Sequence, residues 1–238
     1  MSTLTLTQAA APTRTPHDAR RARRLTAAIL LPIAPLSVAA LRLTWPAFSA
    51  PDTAASLDAV AAHPAAQEAV LWLGLVMTLT MVPAVLAAAR LARRRRPVLA
   101  MLTAGVNLVA YLAGATALVA SDLLTLVAVR GEHDRAAIVP YLDAVNAHPT
   151  ITVGLVLFVV GHIAGMVLLG AALWRIIPVW ASIALIVSQP LHLIAYVVLQ
   201  IQLLDGFAWG LTALGFAACA LAVARTPDDD WDLAPASA

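Results

Sequence analysis

The chain has 238 residues, of which 61% are hydrophobic and 12% charged, with a net charge of +2 and a mean hydropathy of +0.86. A soluble domain carries about a quarter charged residues, so this composition excludes one and requires lipid as solvent. A single cysteine, Cys219, excludes an intrachain disulfide and any site that needs several thiolates from one chain.

Residues 1–24 are rich in Thr, Ala and Pro and end in Arg20-Arg21-Ala22-Arg23-Arg24. We read them as an uncleaved cytoplasmic basic tail, because the apolar run that follows is as long as a full span and no small-residue cleavage site follows it. Six runs of about 20 apolar residues then reach the length that a helix needs to cross the hydrocarbon core: 25–43, 69–91, 97–120, 150–173, 177–201 and 206–224. None alternates with period two as barrel strands do, so the fold class is all-α, a polytopic bundle of six transmembrane helices. Residues 225–238, with the run Asp228-Asp229-Asp230-Trp231-Asp232, form an acidic cytoplasmic tail expected to be solvated, the alternative being that it docks onto the cytoplasmic arginines.

Arginine supplies every basic residue, since the chain has no lysine. Arg20–Arg24, Arg90 with Arg93–Arg96, Arg175 and Arg225 all fall in alternate connections, so the positive-inside rule makes these cytoplasmic and both termini internal. The opposite connections, 44–68, 121–149 and a tight turn near 202–206, then face outward and hold Asp52, Asp58, Glu68, Asp122, Glu132, Asp134, Asp143 and Asp205. The expected location is the cell membrane, as a multi-pass protein.

One octet occurs twice. Leu57-Asp58-Ala59-Val60-Ala61-Ala62-His63-Pro64 returns as Leu142-Asp143-Ala144-Val145-Asn146-Ala147-His148-Pro149, identical at seven of eight positions with an offset of 85. The same offset matches Met81-Val82 to Met166-Val167, Arg90 to Arg175, and Asn107 and Tyr111 to His192 and Tyr196. This is an internal repeat, with copies at 57–111 and 142–196 inside a membrane domain of 25–224. Each copy contributes two spans, so the copies run in parallel orientation, unlike the inverted repeats of many ion-coupled carriers. Pro64 and Pro149 suit the first turn of a helix, and the preceding leucine and valine positions form a short amphipathic turn at the outer interface.

No Asp, Glu or Arg is expected near the middle of a span, which argues against an ion-driven carrier. Phosphate-cradling glycine loops, nucleophile elbows and zinc-helix motifs are absent from the sequence, and nothing in it points to nucleic acid. Three constellations remain. Asn107, Tyr111, His162, Ser188, Gln189, His192 and Tyr196 lie deep in the spans, with His162 and His192 at similar depth on adjacent helices. They make either a midplane polar pocket or ordinary interhelical hydrogen bonds; a haem held between the two histidines is disfavoured because neighbouring helices pack too closely. His63, His148, Asp58 and Asp143 form a symmetric set whose spacing matches no metal signature. Glu68 with Trp72 and Asp205 with Trp209, each four residues apart, share a helical face, and Asp122 ends span three at similar height. Trp72 and Trp209, with Trp45, fit an outer interfacial aromatic belt, or the first two fit a pocket in which a desolvated acid donates a proton beside an aromatic face.

With six spans, an Ala/Leu/Arg-rich sequence and outer loops ending in His-Pro before a span, the chain resembles the small polytopic membrane proteins of high-GC Gram-positive bacteria. Among them it is similar to the bacterial membrane-integral terpene cyclases that act on prenylated indole or diketopiperazine substrates. That resemblance implies acid-initiated cyclisation of an isoprenoid chain with no metal, no other cofactor and no diphosphate leaving group. On this reading Glu68, Asp122 and Asp205 are the candidate acids. Trp72, Trp209, Tyr111, Tyr196, Asn107, His162, Gln189 and His192 are the candidate residues lining the site of a hydrophobic isoprenoid or lipid-like partner. The alternative from a different class is a transport or accessory membrane subunit.

Overall fold

A computed structural model of the chain describes residues 18–131 and 133–232, with only the backbone of 116–120. Glu132 and the tail residues 1–17 and 233–238, which the sequence reading assigned to an outer connection and to the two cytoplasmic tails, lie outside the described residues. The described chain is helical: α1 (Arg20–Thr44), α2 (Thr53–Ala62), α3 (Pro64–Ala92), α4 (Pro97–Arg130), α5 (Arg135–Asn146), α6 (Pro149–Ala172), α7 (Val179–Leu193), α8 (Gln202–Arg225) and the short α9 (Asp228–Trp231). Six of these are long and apolar enough to cross a membrane: α1, α3, the Pro97–Ala115 part of α4, α6, α7 with its extension to Leu199, and α8. The chain is a multi-pass membrane protein whose outward surface is apolar, with Leu79, Met101, Val160 and Leu203 all exposed.

Proline sets most helix starts. Pro64, Pro97 and Pro149 each occupy the first turn, and Pro178 is the residue before α7; there the missing N–H has no intrahelical partner to lose. Pro190 lies inside α7, and four residues later the backbone widens into a π-helical turn, Ile194–Leu199, that ends at Gln200 in the left-handed conformation (φ 51°). Removal of one N–H from the ladder is a recognised cause of such local rewinding. The turn expected near 202–206 therefore falls at Gln200–Ile201, and Asp205 stands inside α8 rather than in a loop.

The six long helices form a closed ring in which α1 packs on α3, α3 on α4, α4 on α6, α6 on α7, α7 on α8 and α8 back on α1. Close approach depends on small residues. On α6, a Cβ at Gly161 would stand 2.7 Å from Ala110 Cβ, and one at Gly165 would overlap the amide of Asn107. That bare face lets Thr103 Oγ1 donate to Gly165 O at 2.9 Å, while Asn107 Nδ2 donates to Thr103 O at 2.8 Å. Gly165→Ala is expected to destabilise the protein by about 1–3 kcal/mol through overpacking, read as a lower melting temperature of the purified protein in detergent micelles.

Each octet ends a short helix and starts a spanning one, and the two lie at the same end of the ring. Asp52 caps α2 and Asp134 caps α5 through side-chain oxygens, and Leu57 and Leu142 meet in one small cluster with Ala128. Asp58 pairs with Arg135, and Thr53 donates to Asp143, so both octet carboxylates tie α2 to α5. His148 caps α6 by accepting from Thr150 N, whereas His63 makes no side-chain cap.

At the other end the acidic tail is docked, which corrects the expectation of a solvated end. Asp228 pairs with Arg24, Asp229 with Arg20, Asp230 with Arg94, and Asp232 with Arg23 and Arg90. Arg93 Nη2 donates to the carbonyls of Asp230 and Trp231, both at 2.9 Å. Trp231 is buried with the Arg90 guanidinium 4.9 Å from its ring centre. Local sequence suggested solvation, but five carboxylate–arginine pairs and a buried indole outweigh the entropy of a free end. Burial of the indole contributes about 2 kcal/mol, and the ion pairs are screened by salt. Truncation after Thr226 is expected to lower the melting temperature by about 5 °C and to weaken its dependence on salt.

Candidate functional site

Between the six long helices, at the end away from the arginines, lies a cavity of about 230 Å³. Every long helix contributes: Val38, Leu41, Arg42 and Trp45 from α1; Val70, Leu71, Gly74 and Met77 from α3; Ser121 and Asp122 from α4; Phe158, His192 and Trp209 from α6, α7 and α8. The wall is mainly aliphatic and aromatic. At Gly74 the nearest atom to a built Cβ is Leu41 Cδ1 at 3.8 Å, so a side chain has room there.

One wall is backed by a buried ion network. Asp205, fully buried in the first turn of α8, accepts from the Arg42 guanidinium and from His192 Nδ1, one donor on each carboxylate oxygen. Arg42 lies within an aromatic cage, with its guanidinium carbon 5.0 Å from the centre of Trp45, 5.3 Å from Phe48 and 4.3 Å from Tyr196. Tyr196 belongs to the π-helical turn, so the irregular end of α7 forms part of this cage. Gln202 Nε2 donates to the carbonyls of Arg42 and Trp45 at 2.9 and 3.0 Å, which ties the end of α1 to the start of α8. Because His192 gives its Nδ1 proton to a carboxylate, a neutral ring leaves Nε2 as a bare acceptor.

Asp122 is the second carboxylate at the cavity, and its environment differs. It stands just beyond the apolar run 97–120 in the same continuous helix, partly buried, and no cation lies within ion-pair distance of its carboxyl among the described residues. Burial pushes that carboxyl up to about 6, against the smaller opposing effects of the nearby Gln67, Arg42 and Trp45 side chains.

Beside the cavity the deep polar residues converge, though not all on one space. The rings of His162 and His192 are 5.6 Å apart, and Trp209 lies 6.1 Å from the first and 5.5 Å from the second. His162 Nδ1 donates to Phe158 O at 2.6 Å and its ring stacks on Phe158 at 4.4 Å. Nothing as wide as a macrocycle fits between imidazoles at that separation. Gln189 Nε2 donates to Thr212 Oγ1 at 2.8 Å, and Asn107 bonds Thr103, so both amides serve helix packing. Among the buried polar atoms that make no hydrogen bond, Arg42 Nη2, Trp45 Nε1 and Trp209 Nε1 belong to residues lining the cavity, while Gln67 Oε1, Arg90 Nε, Asn107 Oδ1, Tyr111 Oη, His162 Nε2, Ser182 Oγ and Gln189 Oε1 lie outside its lining. Such atoms are rare in a finished interior and mark a place where water or a ligand supplies partners.

The three candidate acids therefore separate. Asp122 lines the cavity, Asp205 supports it through Arg42 and His192, and Glu68 stands apart, paired with Arg130. Of the two indoles grouped with them, Trp209 lines the cavity and Trp72 is 63% exposed on the outside of α3. His192 also lines it, whereas Tyr111, Asn107, His162 and Gln189 are buried in the packing beside it and Tyr196 forms the cage.

Sequence reasoning missed Arg42 and Phe158, and gave Trp45 a place in the outer aromatic belt but none in the site. Arg42 and Asp205 each lie within a spanning helix but near its end, which is compatible with the expectation that no Asp, Glu or Arg stands near the middle of a span. A signal was present: Arg42 stands at the end of span one where the positive-inside pattern places no arginine, and such a residue calls for a buried partner. No family model matches the chain, and no curated protein or solved structure is significantly similar to it.

Proposed function

We propose that this chain is a membrane-bound terpene cyclase, with both termini cytoplasmic and a duplicated pair of spans, that closes rings on a prenylated substrate by protonating it. A single observation carries the reading. Asp122 is, among the described residues, the only cavity-lining carboxylate, and it has no salt bridge while Trp45, Phe158 and Trp209 line the same space. An acid whose carboxyl is raised to about 6 by burial and that lines a mainly apolar cavity holds its proton in mildly acidic conditions and suits protonation of an alkene, a weak base that water would outcompete. A cavity of about 150 Å³ admits benzene, so 230 Å³ takes about nine carbons, near two isoprene units.

In the proposed reaction Asp122 gives its proton to the CH carbon of a trisubstituted alkene, so that the π bond becomes a C–H bond and a tertiary cation forms on the dimethyl-substituted carbon. The faces of Trp45, Phe158 and Trp209 stabilise that charge. A neighbouring π bond attacks the cation to form the ring, and His192 Nε2 takes the proton that leaves the product, its ring oriented by Asp205. Exchange with water returns the proton to Asp122, so the net change is an isomerisation. The test is expression with a prenylated indole precursor, followed by mass spectrometry and NMR of the products. A cyclic isomer is expected from the native chain, with loss in Asp122→Asn and retention in Glu68→Gln; unchanged linear precursor beside correctly inserted protein opposes the reading.

A second reading has its own support. The buried Arg42–Asp205–His192 network within a six-helix bundle is the type of group that carriers use to bind a coupling ion. It predicts proton-coupled uptake by proteoliposomes containing the purified protein, and absence of any cyclic product.

A further inference from the structure

At the arginine end a second cleft, of about 670 Å³, opens between the start of α7, the end of α8 and the docked tail. Arg95, Arg175 and Arg225 line it, with Leu91, Leu214 and Leu221 among its apolar walls. All three arginines are exposed, and among the described residues none has a carboxylate within ion-pair distance or a side-chain hydrogen bond. Their neighbours differ: Arg20, Arg23, Arg24, Arg90 and Arg94 each hold an aspartate of the tail. The tail's Asp230 reaches the rim of the cleft but is engaged by Arg94. Three arginines thus line one cleft, and among the described residues no carboxylate is paired with them.

Two features say what the anion is attached to. Phe207, Leu214 and Leu221 are exposed at intervals of seven along α8, a single stripe of a helix that ends at Arg225. A head group at Arg225 therefore sets an acyl chain along that stripe. Arg175 occupies the tight turn between α6 and α7 with φ 64°, in the left-handed region where glycine is the favoured residue. Arginine stands there against backbone preference, so its side chain and not the turn accounts for it.

We propose that this cleft binds the phosphate head group of an anionic membrane lipid, with Arg95, Arg175 and Arg225 as its ligands and the α8 stripe as the bed for one chain. Basic pockets between spanning helices are suited to such head groups, and each added arginine is worth about a fivefold gain in affinity. The site is separate from the cavity at Asp122 and stands whatever reaction occurs there.

The experiment uses the full chain in dodecylmaltoside micelles, with phosphatidylglycerol, phosphatidylcholine or sodium phosphate added, read by native mass spectrometry and by melting temperature. Phosphatidylglycerol is expected to stay bound and to raise the melting temperature, with neither effect from phosphatidylcholine or sodium phosphate. Arg95→Gln with Arg225→Gln, and separately Arg175→Gly, are expected to weaken retention about fivefold per arginine removed. Arg175→Gly relaxes the turn, so it separates loss of charge from loss of fold. Equal retention of phosphatidylcholine, an equal shift from sodium phosphate alone, or unchanged retention in the variants overturns the proposal.

Discussion

Replacing Asp205 with alanine is expected to cost about 3–5 kcal/mol, the loss that follows when one partner of a buried pair is removed and the other is stranded. Arg42 has 12% of its side chain exposed, and its only carboxylate partner among the described residues is Asp205. The three aromatic faces of its cage soften the loss without replacing an anion. His192 loses its orienting acceptor in the same step. In detergent the melting temperature should fall by about 10 °C. The double replacement Arg42→Leu with Asp205→Leu should recover most of that loss, because apolar residues of similar volume substitute well for a buried pair. If the single and double variants melt together, the network contributes little beyond packing.

The second large effect concerns Asp122 and pH. Its carboxyl is raised from 3.8 to about 6 by burial, so the folded protein binds that proton more tightly than the unfolded chain. Stability is therefore fully present below about pH 4 and declines as pH rises through about 6, by at most about 3 kcal/mol in total. Asp122→Asn removes the ionisable group, so this variant should lack the decline and melt above the native protein at pH 8. If Asp122 is the proton donor, product formation should fall about tenfold per pH unit above about 6 and vanish in the asparagine variant. A residue that raises stability when replaced and removes activity is retained for chemistry.

Much of the architecture was legible in hydropathy and arginine placement. The six runs reappear as helices, and Pro64, Pro97 and Pro149 mark three of their starts, because both signals are local and follow from the needs of backbone groups in lipid. The convergence of His162 and His192 was legible too, since a short connection fixes the relative depth of two antiparallel helices. The differences arise where distant charges meet. Asp205 and Arg42 are 163 residues apart, and nothing local to either names the other. The aspartates at 228–232 looked solvated because their matching arginines lie at 20–24 and 90–94. Pro190 was visible, but not the rewinding that moves the turn to Gln200 and draws Asp205 into α8.

The closed ring bears on biosynthesis. Its last seam joins α1 to α8, and the clamp across that end consists of residues 228–232, which follow α8 in the chain. Until α8 is in place the nascent chain is an open crescent whose inner face, Arg42 included, meets whatever the insertion machinery offers. Closure thus waits on the sixth spanning helix, and a ribosome stalled before α8 holds a chain that has no completed cavity.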